Sequence, residues 1–288
     1  MTCRRRGLWL RLLAVLGALM IVGAACGSPD EEGDDGGTDA GGGGQEEPAF
    51  ETITEGTLSV GSCLDYRPFE YFEKGADEPT GFDVELTNAI AEELGLEVEW
   101  VRADFDTIFT AVAAGEFDMV AAASTITPER QDIVDFSDPY YNSRQALTTA
   151  SDSGITSTDD LGEGDTVGVQ KGTTGKDWAE ENLASQGVEI KVFQVVPDAF
   201  TDLESGAIEG VVNDEPSSAA EIEDRPGLEI VQSIDTNENY GLAFSKENPD
   251  LTIAVNEALG AVIDSGEYER IFQKYFPGAQ VPEEFQAA

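Results

Sequence analysis

The stretch Ser124-Thr125-Ile126-Thr127-Pro128-Glu129-Arg130 sets hydroxyls and one guanidinium directly after an apolar run, Met119 to Ala123. A threonine followed by proline has the chemistry of a helix N-cap and first helical position, so a helix is expected to open at Pro128. Arg130 then falls in the first helical turn, where the helix dipole disfavours a cation by about 0.3–1 kcal/mol. A compensating anion is implied. Guanidinium grips a carboxylate as a two-pronged fork, and hydrogen bonds to charged groups contribute about 1.5–3 kcal/mol each. The alternative is a surface ion pair with Glu129 or Asp132.

An opposite charge is needed if the ligand is a zwitterion. Asn213-Asp214 follows a second apolar run, Gly210 to Val212, and Asp214 can accept from an ammonium there. Its competing reading is a solvated loop carboxylate, one of 58 acidic residues. Gln170-Lys171-Gly172-Thr173-Thr174-Gly175 follows a predicted strand and precedes a predicted helix, so its N–H groups and hydroxyls could receive an anion. It lacks the spacing of a P-loop, which leaves a plain strand-to-helix turn as the other reading. Tyr66 and Phe105 lie at or after strand ends, as apolar walls or as core, and Cys63 is either buried packing or a thiol facing the ligand.

These residues are positioned by two sets of alternating strands and helices. Strand Leu58–Val60, helix Phe82–Leu94 stopped by Gly95, strand Val98–Trp100, helix Asp106–Ala114 and strand Met119–Ala123 favour a parallel sheet with right-handed crossovers. The same grammar returns in strand Thr166–Val169, helix Lys176–Asn182, strand Ile190–Phe193, helix Asp198–Ser205 and strand Gly210–Val212. Phe109 to Val120 is nearly repeated by Phe200 to Val211, each a helix end, a glycine and entry into a strand. The expectation is an α/β protein of two lobes, each a mostly parallel sheet flanked by helices. Strand Tyr240–Phe244 and helices Pro249–Asp264 and Glu267–Tyr275 are assigned to the first lobe. Lobe 1 then comprises residues 56–141 and 241–288, lobe 2 residues 142–240. The chain crosses twice, near 140–145 and 237–241, which makes a two-strand hinge and a closable cleft. In open α/β sheets ligands bind at the C-terminal ends of strands, where the residues above fall.

The chain has 288 residues, with 16 Lys+Arg against 58 Asp+Glu and no histidine, a formal charge of -42. Such a surface repels phosphate backbones, so nucleic acid is not an expected partner. Without histidine there is no Ser-His-Asp triad, His-ligated zinc or imidazole proton shuttle. Arg4-Arg5-Arg6, an apolar stretch to Ala25 and small residues before Cys26 follow the plan of an export signal over residues 1–25. Its uninterrupted apolar run, Leu12 to Ala25, is shorter than the roughly 20 residues of a membrane-spanning helix. Residues 26–55 are rich in Gly, Asp and Glu, and read as a flexible tether. Its stretch 27–50 has a reach of roughly 25–30 Å. Ala24-Ala25-Cys26 is similar to the lipobox of bacterial lipoproteins, which implies lipidation at Cys26 and anchoring to the bacterial cell membrane, outside the cytoplasm. Plain signal cleavage is the alternative.

Taken together, the residues resemble the extracytoplasmic solute-binding proteins of polar amino acid ABC transporters, the glutamine- and histidine-binding type, over roughly residues 56–277. The motifs are Tyr66-Arg67-Pro68-Phe69-Glu70, Gly81-Phe82-Asp83-Val84-Glu85-Leu86, Phe105-Asp106, Thr125 to Arg130, Asp135-Phe136-Ser137-Asp138-Pro139-Tyr140, Gly172-Thr173-Thr174 and Asn213-Asp214. The resemblance implies that Arg130 binds the ligand α-carboxylate with Thr125 and the Thr173 region. It gives Asp214 the α-amino group and makes Tyr66 and Phe105 a sandwich for the side chain. Backbone groups around Ala122 to Ser124 complete the α-group contacts, and Gln170, Thr174 and Asn213 join the site. Several members that bind basic amino acids carry an aspartate where Cys63 stands. Asp65, Glu70 or Gln170 are possible substitutes for that missing anion, and Arg67 or Lys171 candidates for an acidic ligand. A neutral polar ligand such as glutamine is favoured, with a basic one as the alternative. The implied partners are an ABC permease and its ATPase, with the protein a monomer and no cofactor, metal or catalytic residue. Two rivals share the fold, a periplasmic dehydratase resembling cyclohexadienyl dehydratase and an amino-acid-sensing receptor domain.

Overall fold

The computed structural model describes residues 50–287. The expected signal segment, Cys26 and most of the expected tether lie outside the described residues. The first lobe opens with β1 (Thr57–Ser62), followed by a small antiparallel sheet of β2 (Asp65–Tyr66), β3 (Glu70–Phe72) and β4 (Pro79–Thr80). Then come α1 (Phe82–Leu94), β5 (Glu97–Arg102), α2 (Phe105–Ala113), β6 (Met119–Val120), the single turn α3 (Pro128–Gln131) and β7 (Asp135–Phe136). The second lobe holds β8 (Tyr141–Ala150), β9 (Thr166–Gln170), α4 (Thr174–Asn182), β10 (Glu189–Phe193), α5 (Val196–Glu204), β11 (Gly210–Asp214), α6 (Glu215–Ile222) and β12 (Leu228–Tyr240). The chain returns through β13 (Ala243–Phe244), α7 (Pro249–Asp264) and α8 (Glu267–Tyr275).

The two sheets have the same plan. The first runs β5-β1-β6-β13-β7 and the second β10-β9-β11-β8-β12. In each, the three strands of the β-α-β-α-β unit are parallel, the next strand (β13 or β8) is antiparallel to them, and the outermost (β7 or β12) pairs antiparallel with that one. The repeated segment occupies the same place in both: Gly115 and Gly206, each in the left-handed conformation, end the turn that feeds β6 and β11. Helix α1 buries Phe82, Leu86 and Ile90 at four-residue spacing and stops at left-handed Gly95. Helices α7 and α8 pack on α1, where the Phe82 ring meets Tyr268 at 5.7 Å and Phe272 at 6.1 Å.

Tyr240–Phe244, expected as one strand, is the end of β12 and the whole of β13, broken at Gly241-Leu242 where the chain passes between sheets. The two crossing segments run on into long strands of the second sheet. Strands β8 and β12 pair antiparallel from Tyr141↔Tyr240 to Ala150↔Leu228, with irregularities beside Ile230 and between Ile234 and Glu238. Residues 51–54, assigned to the tether on composition, are held by the first lobe. Ile53 N donates to Asp118 Oδ1 at 2.8 Å, and Asn248 Nδ2 donates to Glu51 O at 2.8 Å. Both partners are distant in sequence, which hid the attachment.

Candidate functional site

A cavity lies where strand ends of the two sheets face each other. The first lobe contributes Tyr66 on β2, Phe105 opening α2, Ala122 and Thr125 after β6, and Arg130 on α3. From the second come Gln170 at the end of β9, Thr173 and Thr174 at the start of α4, and Asn213 and Asp214 at the end of β11. Of the residues that the resemblance places in the α-group and side-chain contacts, Ser124 alone leaves its side chain out of the wall. It is fully buried, its hydroxyl donates to Ala122 O at 3.3 Å, and its carbonyl accepts from Gly241 N at 3.0 Å. The chain alternates around it, so Thr125 faces the cavity and Ser124 the core.

Arg130 is positioned by local chemistry. Thr127 Oγ1 accepts from Arg130 N at 3.2 Å, and Pro128 takes the first helical position. The side chain turns back: Nη1 donates to Thr125 O at 2.6 Å, and Nη2 reaches across the cleft to Gly172 O at 3.1 Å. Its guanidinium lies 5.2 Å from the Phe105 ring centre and 4.7 Å from that of Phe109. Two of the five N–H donors are thereby used, and the other three have no partner among the described residues. Among the described residues no carboxylate reaches ion-pair distance, so the alternative pairing with Glu129 or Asp132 is not made. Burial lowers the Arg130 pKa, and Asp214 is the leading charge that offsets this.

Asp214 is the acid of the opposite lobe. It accepts from the Tyr66 hydroxyl at 2.7 Å, from the Tyr240 hydroxyl at 2.5 Å and from Gln145 Nε2. Burial, helped by the Glu238 carboxylate, raises its pKa to about 6 against the pull of those donors. Thr173 caps α4, its Oγ1 accepting from Lys176 N at 3.1 Å and donating to Gln170 O at 2.8 Å.

Sequence reasoning missed two polar residues that organise this wall. Glu238, on β12, accepts from Thr125 Oγ1 at 2.6 Å, Thr174 Oγ1 at 2.9 Å, Thr236 Oγ1 at 2.7 Å and Gln145 Nε2 at 3.0 Å. It thereby ties the hydroxyls of both lobes to the hinge. Gln145, on β8, sits between Glu238 and Asp214 and lines the cavity. Both fall in the predicted crossing segments, where polar side chains have a cleft to face, and that was the usable signal. Cys63, Glu70 and Ala123 also line the cavity, and burial pushes the Cys63 thiol pKa up.

Other candidates are engaged elsewhere. Arg67 pairs with Glu73 at 3.3 Å, Lys171 with Asp106 at 2.8 Å, and Asp65 with Arg102 at 3.3 Å, and none lines the cavity. Glu70 is carried on β3, against which the chain packs at Gly81. With φ at 132° a Cβ there would lie 2.0 Å from Phe69 O, so only glycine permits this approach.

Residues 58–278 match the bacterial extracellular solute-binding proteins, family 3. A probable histidine-binding protein of Neisseria gonorrhoeae is 35% identical over 221 residues, covering 75% of this chain and 82% of that protein. The arginine-binding extracellular protein ArtP of Bacillus subtilis is 34% identical over 224 residues, covering 77% and 86%. The solved structure of an ancestral arginine-binding protein bound to arginine superposes with a TM-score of 0.73 at 38% identity, covering 77% of this chain and 98% of that one. With one match spanning both lobes, the chain belongs to the family 3 bacterial extracellular solute-binding proteins.

Proposed function

We propose that this protein captures a free polar amino acid between its lobes and delivers it to an ABC permease and its ATPase, as a monomer held at the membrane by a lipid on Cys26. The observation that carries the reading is the pair Arg130 and Asp214, of opposite charge, on opposite lobes and lining one cavity. An α-carboxylate suits the remaining donors of Arg130, with Thr125, Thr173 and Thr174 beside it. An α-ammonium suits Asp214, with Asn213 next to it. Tyr66 and Phe105 supply apolar surface for the side chain. A zwitterion touching both lobes binds the closed form more tightly than the open one, and that difference drives closure. The relatives' names, histidine- and arginine-binding, support capture without turnover.

Calorimetric titration of the full chain with the common amino acids tests the reading. One chemical class is expected to bind, and Arg130→Ala to weaken it about tenfold or more, in line with losing charged hydrogen bonds. Binding by no amino acid, or turnover of prephenate or arogenate, would overturn it.

A further inference from the structure

Asp106, next to Phe105 at the start of α2, does not line the cavity and instead meets the opposite lobe. Its Oδ2 lies 2.8 Å from Lys171 Nζ, and its Oδ1 accepts from Gln194 Nε2 at 2.9 Å. Lys171 and Gln194 directly follow the paired strands β9 and β10, and they are fixed there. Lys171 N donates to Phe193 O at 2.9 Å, and Gln170 Nε2 donates to Gln194 O at 3.0 Å. The backbones of the two lobes also touch, since a Cβ on Gly172 would lie 3.0 Å from Asp106 Cα. The Asp106 side chain is only 13% exposed, so most of the carboxylate is covered by this contact. Lys171 first, and Gln194 after it, hold its carboxyl below the usual carboxylate range, which keeps it charged at neutral pH.

Phe105 and Gln170 line the cavity and are the chain neighbours of Asp106 and Lys171. A ligand seated against both walls therefore brings the clasp residues together. A contact between lobes exists only while the lobes are closed, so it stabilises that form and no other. It has to break before the ligand leaves, whereas capture takes place with it open. We propose that Asp106 is a positioning residue that sets how long the ligand stays bound, by clasping Lys171 and Gln194 across the cleft. This rests on the amino-acid reading of the cavity. The Lys171 ammonium, a candidate for an acidic ligand on sequence grounds, is given to the closing contact instead.

The test follows release of a radiolabelled amino acid from the full chain at neutral pH, chased with an excess of the unlabelled form. The probe is the common amino acid that calorimetry shows to bind most tightly, with arginine, histidine and glutamine tried first. Lys171→Met is expected to speed release about two- to fivefold, the range of one exposed ion pair. Asp106→Ala is expected to speed it about five- to twentyfold, because the hydrogen bond from Gln194 is lost as well. In the Asp106→Ala background, adding Lys171→Met should change release less than about 1.5-fold, as coupled partners require. Association rates from stopped-flow mixing should stay within about twofold of wild type. Melting of the unliganded variants reports folding, and Gln194→Ala with Lys171→Met reads the same contact without altering α2. Wild-type release from Asp106→Ala, or from that second-lobe pair, overturns this inference and leaves the amino-acid reading standing. So does an affinity loss carried wholly by slower association, or a Lys171→Met effect that persists without Asp106. Binding of no amino acid by the wild type removes the parent reading as well.

Discussion

The Tyr66 hydroxyl of the first lobe donates to Asp214 Oδ2 of the second at 2.7 Å, across the cleft. Tyr240, at the end of the hinge strand β12, donates to the same oxygen at 2.5 Å. Two phenols from different elements thus converge on the one carboxylate of the second lobe that lines the cavity. Asp214 is held in place by three neutral donors, and its negative charge remains for a ligand cation.

Asp214→Asn preserves the size and removes the charge. Affinity for an α-amino ligand is expected to fall about 10- to 100-fold, the loss of one charged interaction. Tyr66→Phe should cost less, within about tenfold, because Tyr240 and Gln145 still fix the carboxylate. Isothermal titration of the two variants with the same ligand gives the order. Equal affinity for wild type and Asp214→Asn would take Asp214 out of the site.

Binding should weaken in acid. Asp214 has its pKa raised to about 6 by burial and by Glu238, with Arg130 and the phenols Tyr66 and Tyr240 also close to it. The ligand ammonium requires the ionised carboxylate, so protons compete with ligand below about pH 6. The loss approaches about tenfold per pH unit for a single competing proton. Near pH 5.5 binding should expel part of a proton, visible as an enthalpy that depends on the buffer. For stability the sign is reversed. The folded carboxyl holds its proton more tightly than the unfolded one, so its contribution is present below about pH 4 and is lost as pH rises through about 6.

The residues that sequence reasoning reached are those fixed by their neighbours. Thr127 and Pro128 announce the turn that carries Arg130, and Gly95 ends α1 where the apolar period stops. The paired strand ends that hold Asp214 and Thr173 follow from a repeated local grammar. What was missed depends on contacts across many residues. Glu238 meets Thr125 across 113 positions, and Gln145 meets Asp214 across 69. Strands β8 and β12 escaped because Asn142 to Gln145 and Thr236 to Asn239 are polar throughout and carry no apolar alternation. Glu70 was visible as a residue type, but that it is buried on the cavity wall with no partner for either oxygen among the described residues shows only in the fold.

Asp83 anchors the base of the site from beneath. Its Oδ2 accepts from Ala123 N and from the Tyr140 hydroxyl, both at 2.8 Å, in a fully buried position. Ala123 is held at φ 44°, a conformation uncommon for residues with a side chain, and it lines the cavity between Ala122 and Thr125. Asp83→Ala leaves two buried donors without an acceptor, each costing about 1–3 kcal/mol. The expected outcome is a loss of about 2–5 kcal/mol in urea denaturation, with ligand affinity also reduced as the Ala122–Thr125 wall shifts. A variant as stable as wild type would mean that Asp83 is not an anchor.

Salt should stabilise the two lobes. Residues 56–288 carry 48 acidic against 12 basic residues, so like charges repel throughout the body. Screening shortens from about 10 Å at 0.1 M salt to about 3 Å at 1 M, which weakens that repulsion. The ion pairs that screening also weakens are mostly exposed ones, such as Lys191–Asp202 and the interlobe Lys171–Asp106, worth about 0–1 kcal/mol each. Repulsion among many charges outweighs these few attractions, so the melting temperature is expected to rise steadily between 0.1 and 1 M NaCl. Binding involves groups buried from salt and should change far less over the same range. Thermal melts with and without ligand separate the two effects. An optimum at low salt would mean that the acidic surface is balanced locally and does not strain the fold.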